Sequence, residues 1–230
     1  MNGAFYSADV NTSVPNPYTS VSMTFPGALS PISSFSQLSS TDYHYQTGLY
    51  STLAAMNTDF PTGTYTFTAN NGDAASYNYT AADYTASLPY LTGTNYTDLQ
   101  GMNSSLPFNF TFSPFVPGST ATDAFIFFTI FDVTLGKSVY NAGFLPATAT
   151  SASVPGGTLK PGDLFSYELD YSDRDILTTG FSGGDFAPQL GFDVRTDGTF
   201  TAAPAAAIPE PSTAALLGLG LLVAVFRRRG

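Results

Sequence analysis

The sequence feature that most constrains the fold is a repeated alternation of large aromatic side chains with small polar ones. Tyr65 and Phe67, for example, alternate with threonines. The same pattern recurs in four other segments, residues 76–80, 108–112, 165–171 and 190–194. Successive side chains of a strand point to opposite faces, so this period of two predicts strands with one buried face. Gly, Pro, Asn and Asp follow the segments and predict turns. We therefore expect an all-β fold of antiparallel β-sandwich architecture.

Two segments depart from the alternation. Residues Ala124–Val133, AFIFFTIFDV, are almost continuously apolar, which predicts a central strand covered on both faces. In residues 48–60, apolar side chains recur at helical spacing, and Pro61 follows them. This spacing predicts one short helix that packs against a sheet through a single apolar stripe.

The body of the chain divides in the sequence near Leu91–Thr94. The later segment 157–167, GTLKPGDLFSY, is similar to the turn that enters a late strand of fibronectin type III and immunoglobulin-like domains. Those domains carry a tyrosine where Phe165 stands here. The resemblance implies an immunoglobulin-like sandwich in residues 95–203, preceded by a β-rich unit with the helix in residues 1–94. One composite sandwich formed from both ranges is the alternative.

Composition excludes several classes of function. Seven Lys and Arg residues stand against 17 Asp and Glu residues, a formal net charge of −10. Nucleic-acid binding needs clustered basic residues, so we expect no nucleic-acid partner. The absence of Cys removes disulfides, thiolate nucleophiles and Cys-ligated zinc. His44 is the only histidine, and its place between Tyr43 and Tyr45 indicates a strand residue, not a general base. These features predict a protein that is not an enzyme.

The last residues of the chain combine three features in a fixed order. A proline–glutamate–proline motif comes first, at Pro209, Glu210 and Pro211. An apolar segment, residues 213–226, follows and predicts a hydrophobic C-terminal helix. As a helix, residues 214–226 would extend roughly 20 Å, which is shorter than a bilayer core of about 30 Å. Flanking residues would therefore have to contribute for the segment to cross the core. The chain then carries three consecutive arginines, Arg227, Arg228 and Arg229.

This tail, residues 204–230 with its linker, resembles the PEP-CTERM sorting signal of Gram-negative bacteria. The resemblance implies recognition by an exosortase, a membrane-embedded enzyme similar to a transpeptidase. It also implies export, a transient single-pass stay in the inner membrane, processing near the motif, and a final location at the cell surface or outside the cell. The arginines would stop translocation on the cytoplasmic side. The two prolines would keep Glu210 extended for the enzyme.

The beginning of the chain does not match this route. Residues 1–20 contain no Lys or Arg and no apolar run as long as the core of a signal peptide. An exported protein needs such a segment. We therefore expect either a true start upstream of Met1 or a sequence that is a fragment.

Three carboxylates form the best candidate for a metal site. Asp170, Asp173 and Asp175 lie within six residues at the end of a predicted strand. Calcium prefers six to eight oxygen ligands, so this cluster could contribute to a calcium site. The spacing is not that of an EF-hand, and a solvated acidic turn is the alternative interpretation.

Three classes of function fit the sequence. The first is an exported structural or interaction protein of the cell envelope or extracellular matrix, whose acidic, Thr- and Asn-rich exterior suits contact with extracellular polysaccharide. The second is a secreted carbohydrate-binding module with stacking platforms at Tyr77, Tyr79, Tyr84 and Tyr90. The third is a secreted hydrolase, which needs two carboxyl groups about 5–9 Å apart in a cleft. We favour the first class.

Overall fold

The computed structural model describes residues 2–70, 72–85, 87–177 and 186–203. Within these ranges the chain forms twelve strands and two short helices, and the paired strands run antiparallel. The prediction of an all-β sandwich is therefore confirmed. The hydrophobic helix predicted for residues 213–226 lies outside the described residues.

The two helices are α1 (Leu53–Asp59) and α2 (Asn95–Leu99). The strands of the N-terminal half are β1 (Asn2–Thr12), β2 (Val21–Thr24), β3 (Ser36–Ser39), β4 (Asp42–Gln46), β5 (Gly63–Ala69) and β6 (Ala74–Tyr79). The strands that follow are β7 (Phe108–Thr111), β8 (Asp123–Asp132), β9 (Lys137–Pro146), β10 (Ser151–Val154), β11 (Leu164–Ile176) and β12 (Phe186–Thr201). The five alternating segments correspond to β5, β6, β7, β11 and β12.

The larger layer is a seven-stranded sheet with the order β3-β4-β1-β12-β11-β8-β9. Strand β1 pairs with β12 along its whole length, from Asn2 opposite Thr196 to Thr12 opposite Phe186. It pairs with β4 on its other side. Residues 1–94 and 95–203 therefore contribute strands to one sheet. The resemblance of residues 157–167 to immunoglobulin-like domains stays a prediction.

The smaller layer consists of two separate sheets that cover one face of the large sheet. One sheet has the order β2-β5-β6, and the other pairs β7 with β10. Aromatic rings connect the layers: Tyr6 of β1 lies 5.9 Å from Tyr65 of β5, measured between ring centroids, and Phe110 of β7 lies 4.8 Å from Phe128 of β8. All these rings are buried in one continuous core. The burial of aromatic side chains is therefore the main force that holds the layers together.

The predicted helix is present but begins later than Gly48. Thr52 caps α1, because its side-chain oxygen accepts a hydrogen bond from the backbone N–H of Ala55. Upstream of the cap, Tyr50 forms a β-bridge with Ala4 and is therefore extended. Met56, within the helix, is fully buried. The apolar stripe thus predicts the packed turns correctly, while pairing with β1 keeps residues 48–51 out of the helix.

The prediction that the apolar segment 124–133 is covered on both faces is wrong. Ile126, Phe128 and Ile130 of β8 are fully buried in the core. The alternate side chains, Phe125 and Phe127, point to the opposite face and are half-buried. No second layer covers that face of β8 in the described residues, so these rings line an open surface of the large sheet.

Candidate binding cleft on the polar face of the large sheet

The face of the large sheet that points away from the core carries a patch of charged side chains. The patch begins on β11, where Glu168, Asp170 and Arg174 alternate with the core residues. The register of β11 with β12 places Arg195 directly opposite Asp170 and Asp193 opposite Ser172. Directly paired residues point to the same face, so acidic and basic side chains of two central strands converge there.

A cleft of about 900 Å³ opens over this patch. Its charged residues are Asp123, Glu168, Asp170, Arg174, Asp193 and Arg195. Its aromatic residues are Phe5, Phe125, Phe127 and Phe144. Small-molecule sites typically have volumes of roughly 300–1,000 Å³ and combine apolar walls with a few fixed polar groups. The cleft has a volume in this range, and its lining carries more charged groups than such sites usually do.

Arg195 organises one half of the charged patch. Its Nη2 lies 2.6 Å from Oε2 of Glu168, and its Nε lies 2.7 Å from Oδ1 of Asp197. The side chains of Arg195 and Glu168 are 27 % and 25 % exposed, so their outer edges reach the cleft. Two ion pairs therefore fix the orientation of this guanidinium before any ligand arrives.

Arg174 organises the other half. Its Nη1 donates to Oδ2 of Asp193 at 3.0 Å and to Oγ of Ser7 at 3.2 Å. Its guanidinium also lies over the ring of Phe125, 5.3 Å from the centroid. Gly191 of β12 leaves the space that the Arg174 side chain occupies, because a Cβ at residue 191 would collide with Nη1 of Arg174 and Oγ of Ser7. The missing side chain of Gly191 is thus part of the site.

Asp170 lies at the centre of the patch and is only 4 % exposed. Burial raises the pKa of Asp170 to about 9, and the hydrogen-bonded Glu168 adds to the rise, while Arg195 opposes it. Within the described part of the chain, Oδ1 of Asp170 accepts no hydrogen bond, and Nε of Arg195 lies 3.9 Å from it. Burial at this position therefore favours the protonated form of Asp170 over the ionised form.

A second polar network continues the face beyond the cleft. Nδ1 of His44 on β4 lies 2.5 Å from Oδ1 of Asp9 on β1. The other carboxylate oxygen of Asp9 accepts a hydrogen bond from Gln189 of β12. His44 is therefore a strand residue bonded to its neighbours, as the sequence predicts.

The structure does not bring the three predicted calcium ligands together. Asp170 points to the polar face, whereas Asp173 and Asp175 point to the core face of the same strand, opposite Phe192 and Leu190. Across residues 2–70, 72–85, 87–177 and 186–203, no three His, Cys, Asp or Glu side chains are placed to hold a metal ion.

Asp173 and Asp175 instead bind loops to the end of the large sheet. Asp173 accepts hydrogen bonds from the backbone N–H groups of Thr85, at 2.6 Å, and Gly118, at 3.1 Å. Asp175 accepts one from the hydroxyl of Tyr77. Burial is the largest effect on both carboxyls and raises the pKa of each to about 6. Asp173 therefore holds the chain segments around Thr85 and Gly118 in place, and Asp175 holds Tyr77 of β6.

The tyrosines considered as sugar-stacking platforms in the second class of function do not form an exposed row, so the structure does not support that alternative. Tyr79 is buried and stacks on Tyr84 at 5.5 Å, and Tyr84 in turn stacks on Phe192 at 4.2 Å. Tyr77 is half-buried and bonded to Asp175. Of the four, Tyr90 is exposed, at 58 %. The aromatic rings that line a cleft are phenylalanines of other strands.

Most residues of the cleft were not predicted from the sequence, although the sequence contains a signal for them. Residues 193–197, DVRTD, alternate charged with uncharged side chains, and Glu168, Asp170 and Arg174 do the same on β11. Two such strands side by side would place opposite charges together. Their register is set by contacts distant in sequence, so the sequence alone does not reveal the pairing.

The described residues thus form an all-β sandwich protein with a polar cleft on the free face of its main sheet. The sorting signal lies beyond them: residues 207–229 match the PEP-CTERM protein-sorting motif. This match confirms the sorting signal predicted from the sequence, and such a motif supports targeting to an exosortase, export and membrane-associated sorting. A comparison with curated proteins finds no match. Among the described residues, no helix has the length and the apolar character needed to cross a bilayer.

Proposed function

We propose that this chain is a non-enzymatic interaction protein of the cell envelope or extracellular matrix. In this proposal the inner membrane holds it transiently through residues 213–226, and the exosortase processes it near Glu210. The match of residues 207–229 to the PEP-CTERM motif is the observation that carries the proposal. The β-sandwich is the part of the protein that acts after sorting.

The geometry of the acidic residues supports a binding role over hydrolysis. Glu168 and Asp170 are hydrogen-bonded to each other. Glycosidases keep their two carboxyl groups roughly 5–9 Å apart, so that a sugar or a water molecule fits between them. A pair in direct contact leaves no such space. Arg195 further engages Glu168, which makes this carboxylate a structural partner and not a free base.

The cleft is the surface that this role would use. Its charged groups are oriented by ion pairs across β11 and β12 and by the contact of Arg174 with Ser7 of β1. Preorganised polar groups lose little freedom when a ligand binds, which favours recognition. Interaction through the cleft needs no chemical step, in agreement with a structural or adhesive function.

The sorting part of the proposal is tested by Glu210→Ala in the native host, with Thr213→Ala as the control outside the proline–glutamate–proline motif. We expect the Glu210→Ala chain to keep its full C-terminus and to accumulate in the inner-membrane fraction. Intact-mass spectrometry of the protein reads the C-terminus directly. If the Glu210→Ala variant yields the same mature C-terminus as the control, Glu210 is not part of the recognised motif.

The arginines provide a second arm of the same experiment. Replacing Arg227, Arg228 and Arg229 by Gln removes the positive charge that would hold the tail on the cytoplasmic side. We expect less chain in the inner membrane, measured by fractionation before processing. The control replaces Lys137 and Lys160 of the body by Gln. Equal membrane retention in both variants would contradict the proposed role of the arginines.

A further inference from the structure

The rim of the cleft presents an aromatic ring that the fold does not bury. Phe144 of the edge strand β9 is 75 % exposed. It lies edge-on to Phe125, with 4.7 Å between the ring centroids, and 6.0 Å from Phe127. Neighbouring rings therefore support Phe144 from below and leave its outer side open. An apolar ring kept in water beside a cleft is typical of a binding surface, since burial of this ring on a ligand would be favourable.

The floor of the cleft provides hydrogen-bonding groups but little unpaired charge. Arg174 is paired with Asp193, and Arg195 with Glu168 and Asp197. Four carboxyl groups and two guanidinium groups line the cleft, so acidic groups outnumber basic ones. Neither guanidinium is left for an anionic ligand, and a further anion would be repelled. The cleft therefore disfavours phosphates, sulfates and uronic acids.

The paired groups still have donors and acceptors at their exposed edges. Arg195 offers N–H donors and Glu168 offers acceptor oxygens side by side, each held in place by the other. Adjacent hydroxyl groups of a sugar donate and accept at once, so they match such a pair. The flat, apolar C–H face of a sugar ring would at the same time cover an aromatic ring such as Phe144.

We propose that the cleft binds a neutral, hydroxyl-rich saccharide, with Phe144 as the stacking platform and Glu168 and Arg195 as the hydroxyl-binding pair. This assignment rests on the proposed function, in which an exported chain meets extracellular glycans. It moves the carbohydrate-binding hypothesis from the tyrosines to the polar face of the large sheet. The paired arginines and the excess of carboxyl groups exclude an anionic ligand, and the cationic probe of the test below distinguishes a neutral ligand from a cationic one.

The test is isothermal titration of the purified full chain with cellotetraose, maltotetraose and mannotetraose as neutral probes. Tetragalacturonate and a chitosan tetramer are the anionic and cationic probes. We expect at least one neutral probe to bind, and Phe144→Ala to weaken its affinity by about tenfold or more. Because Phe144 is largely exposed, this variant retains the fold. Tyr90→Ala is the matched control, an exposed aromatic residue outside the cleft, and we expect unchanged affinity.

Three results would overturn the assignment: no binding of any neutral probe, tighter binding of a charged probe, or equal affinity of the Phe144→Ala variant and wild type. Glu168→Gln is a second probe of the site, because it removes the carboxylate that orients Arg195. We expect the neutral probe to bind more weakly to it. Loss of saccharide binding would leave the sorting experiment unaffected, because that experiment reads the C-terminus and the location of the chain. The two proposals therefore fail separately.

Discussion

Replacement of Asp170 by Asn should make the protein more stable at neutral pH. Asp170 is buried at the centre of the cleft floor, and its pKa rises to about 9 in the folded chain. In the unfolded chain an aspartate has a pKa of about 3.9. The folded state therefore holds a proton that the unfolded state releases above pH 4. The stability that Asp170 contributes is complete below about pH 4 and is lost as the pH rises towards 9.

The size of the effect follows from the same shift. Between these two pKa values, each pH unit lowers the free energy of unfolding by about 1.4 kcal/mol. From pH 4 to pH 7 the loss is on the order of 4 kcal/mol, a large part of the 5–15 kcal/mol typical of a domain. Asparagine has nearly the same shape and does not titrate. The Asp170→Asn variant should therefore gain up to this amount at pH 7 and little at pH 4.

The assay is urea unfolding followed by circular dichroism and by the fluorescence of the 14 tyrosines, since the chain has no tryptophan. Wild type and variant are compared at pH 4, 5.5, 7 and 8.5. Asp98→Asn, at an exposed site in α2, is the matched control. The difference between wild type and variant separates Asp170 from other titrating groups such as Asp173 and Asp175. A difference that does not change with pH would refute the argument. Lower stability of the variant at pH 7 would show instead that an ionised Asp170 stabilises Arg195.

Two further substitutions test the structure around the site. Gly191→Ala should displace Arg174 from Asp193 and lower the free energy of unfolding by about 1–3 kcal/mol. Urea unfolding measures the change, and Gly48→Ala, where a Cβ meets no atom within 4 Å, should be nearly neutral. Asp173→Ala leaves two backbone N–H groups without their acceptor and should cost about 2–4 kcal/mol. Faster amide hydrogen exchange at Thr85 and Gly118 should accompany it, and unchanged exchange would contradict the loop-binding role.

The fold was predictable where a strand carries its own pattern. The β5–β6 hairpin, β7 and the aromatic face of β11 follow from alternation that is local in the sequence. Strand β1 was not predicted, because it reads NGAFYSADVNT and shows no strict alternation. It lies inside the sheet between β4 and β12. Its own residues on the polar face include small ones, such as Gly3 and Ser7. Its position depends on partners that lie far away in the chain.

The cleft was less predictable than the fold for the same reason. Asp170 was recognised from the sequence as a candidate site residue, but in the wrong group: its sequence neighbours Asp173 and Asp175 point to the core face. Its true partners are Glu168 on the same strand face and Arg195 on β12. The spacing of residues along a strand shows which side chains share a face. Which strand lies next to it, and in which register, is known only when the complete sheet is known. Charge alternation on two strands is therefore a useful signal only after their pairing is known.

The short connection between the body and the sorting motif links the two parts of the function. Strand β12, an inner strand of the large sheet, ends at Thr201, and Ala203 bridges to Asn103. Residues 204–208 then lead to Pro209, and even a fully extended chain of this length reaches only ~20 Å. In the proposed route, the folded sandwich is therefore held close to the membrane surface for as long as the tail is uncut. In the same proposal, the cleft would reach saccharides far from the membrane only after the exosortase has acted, so processing would set where the cleft binds as well as where the protein resides.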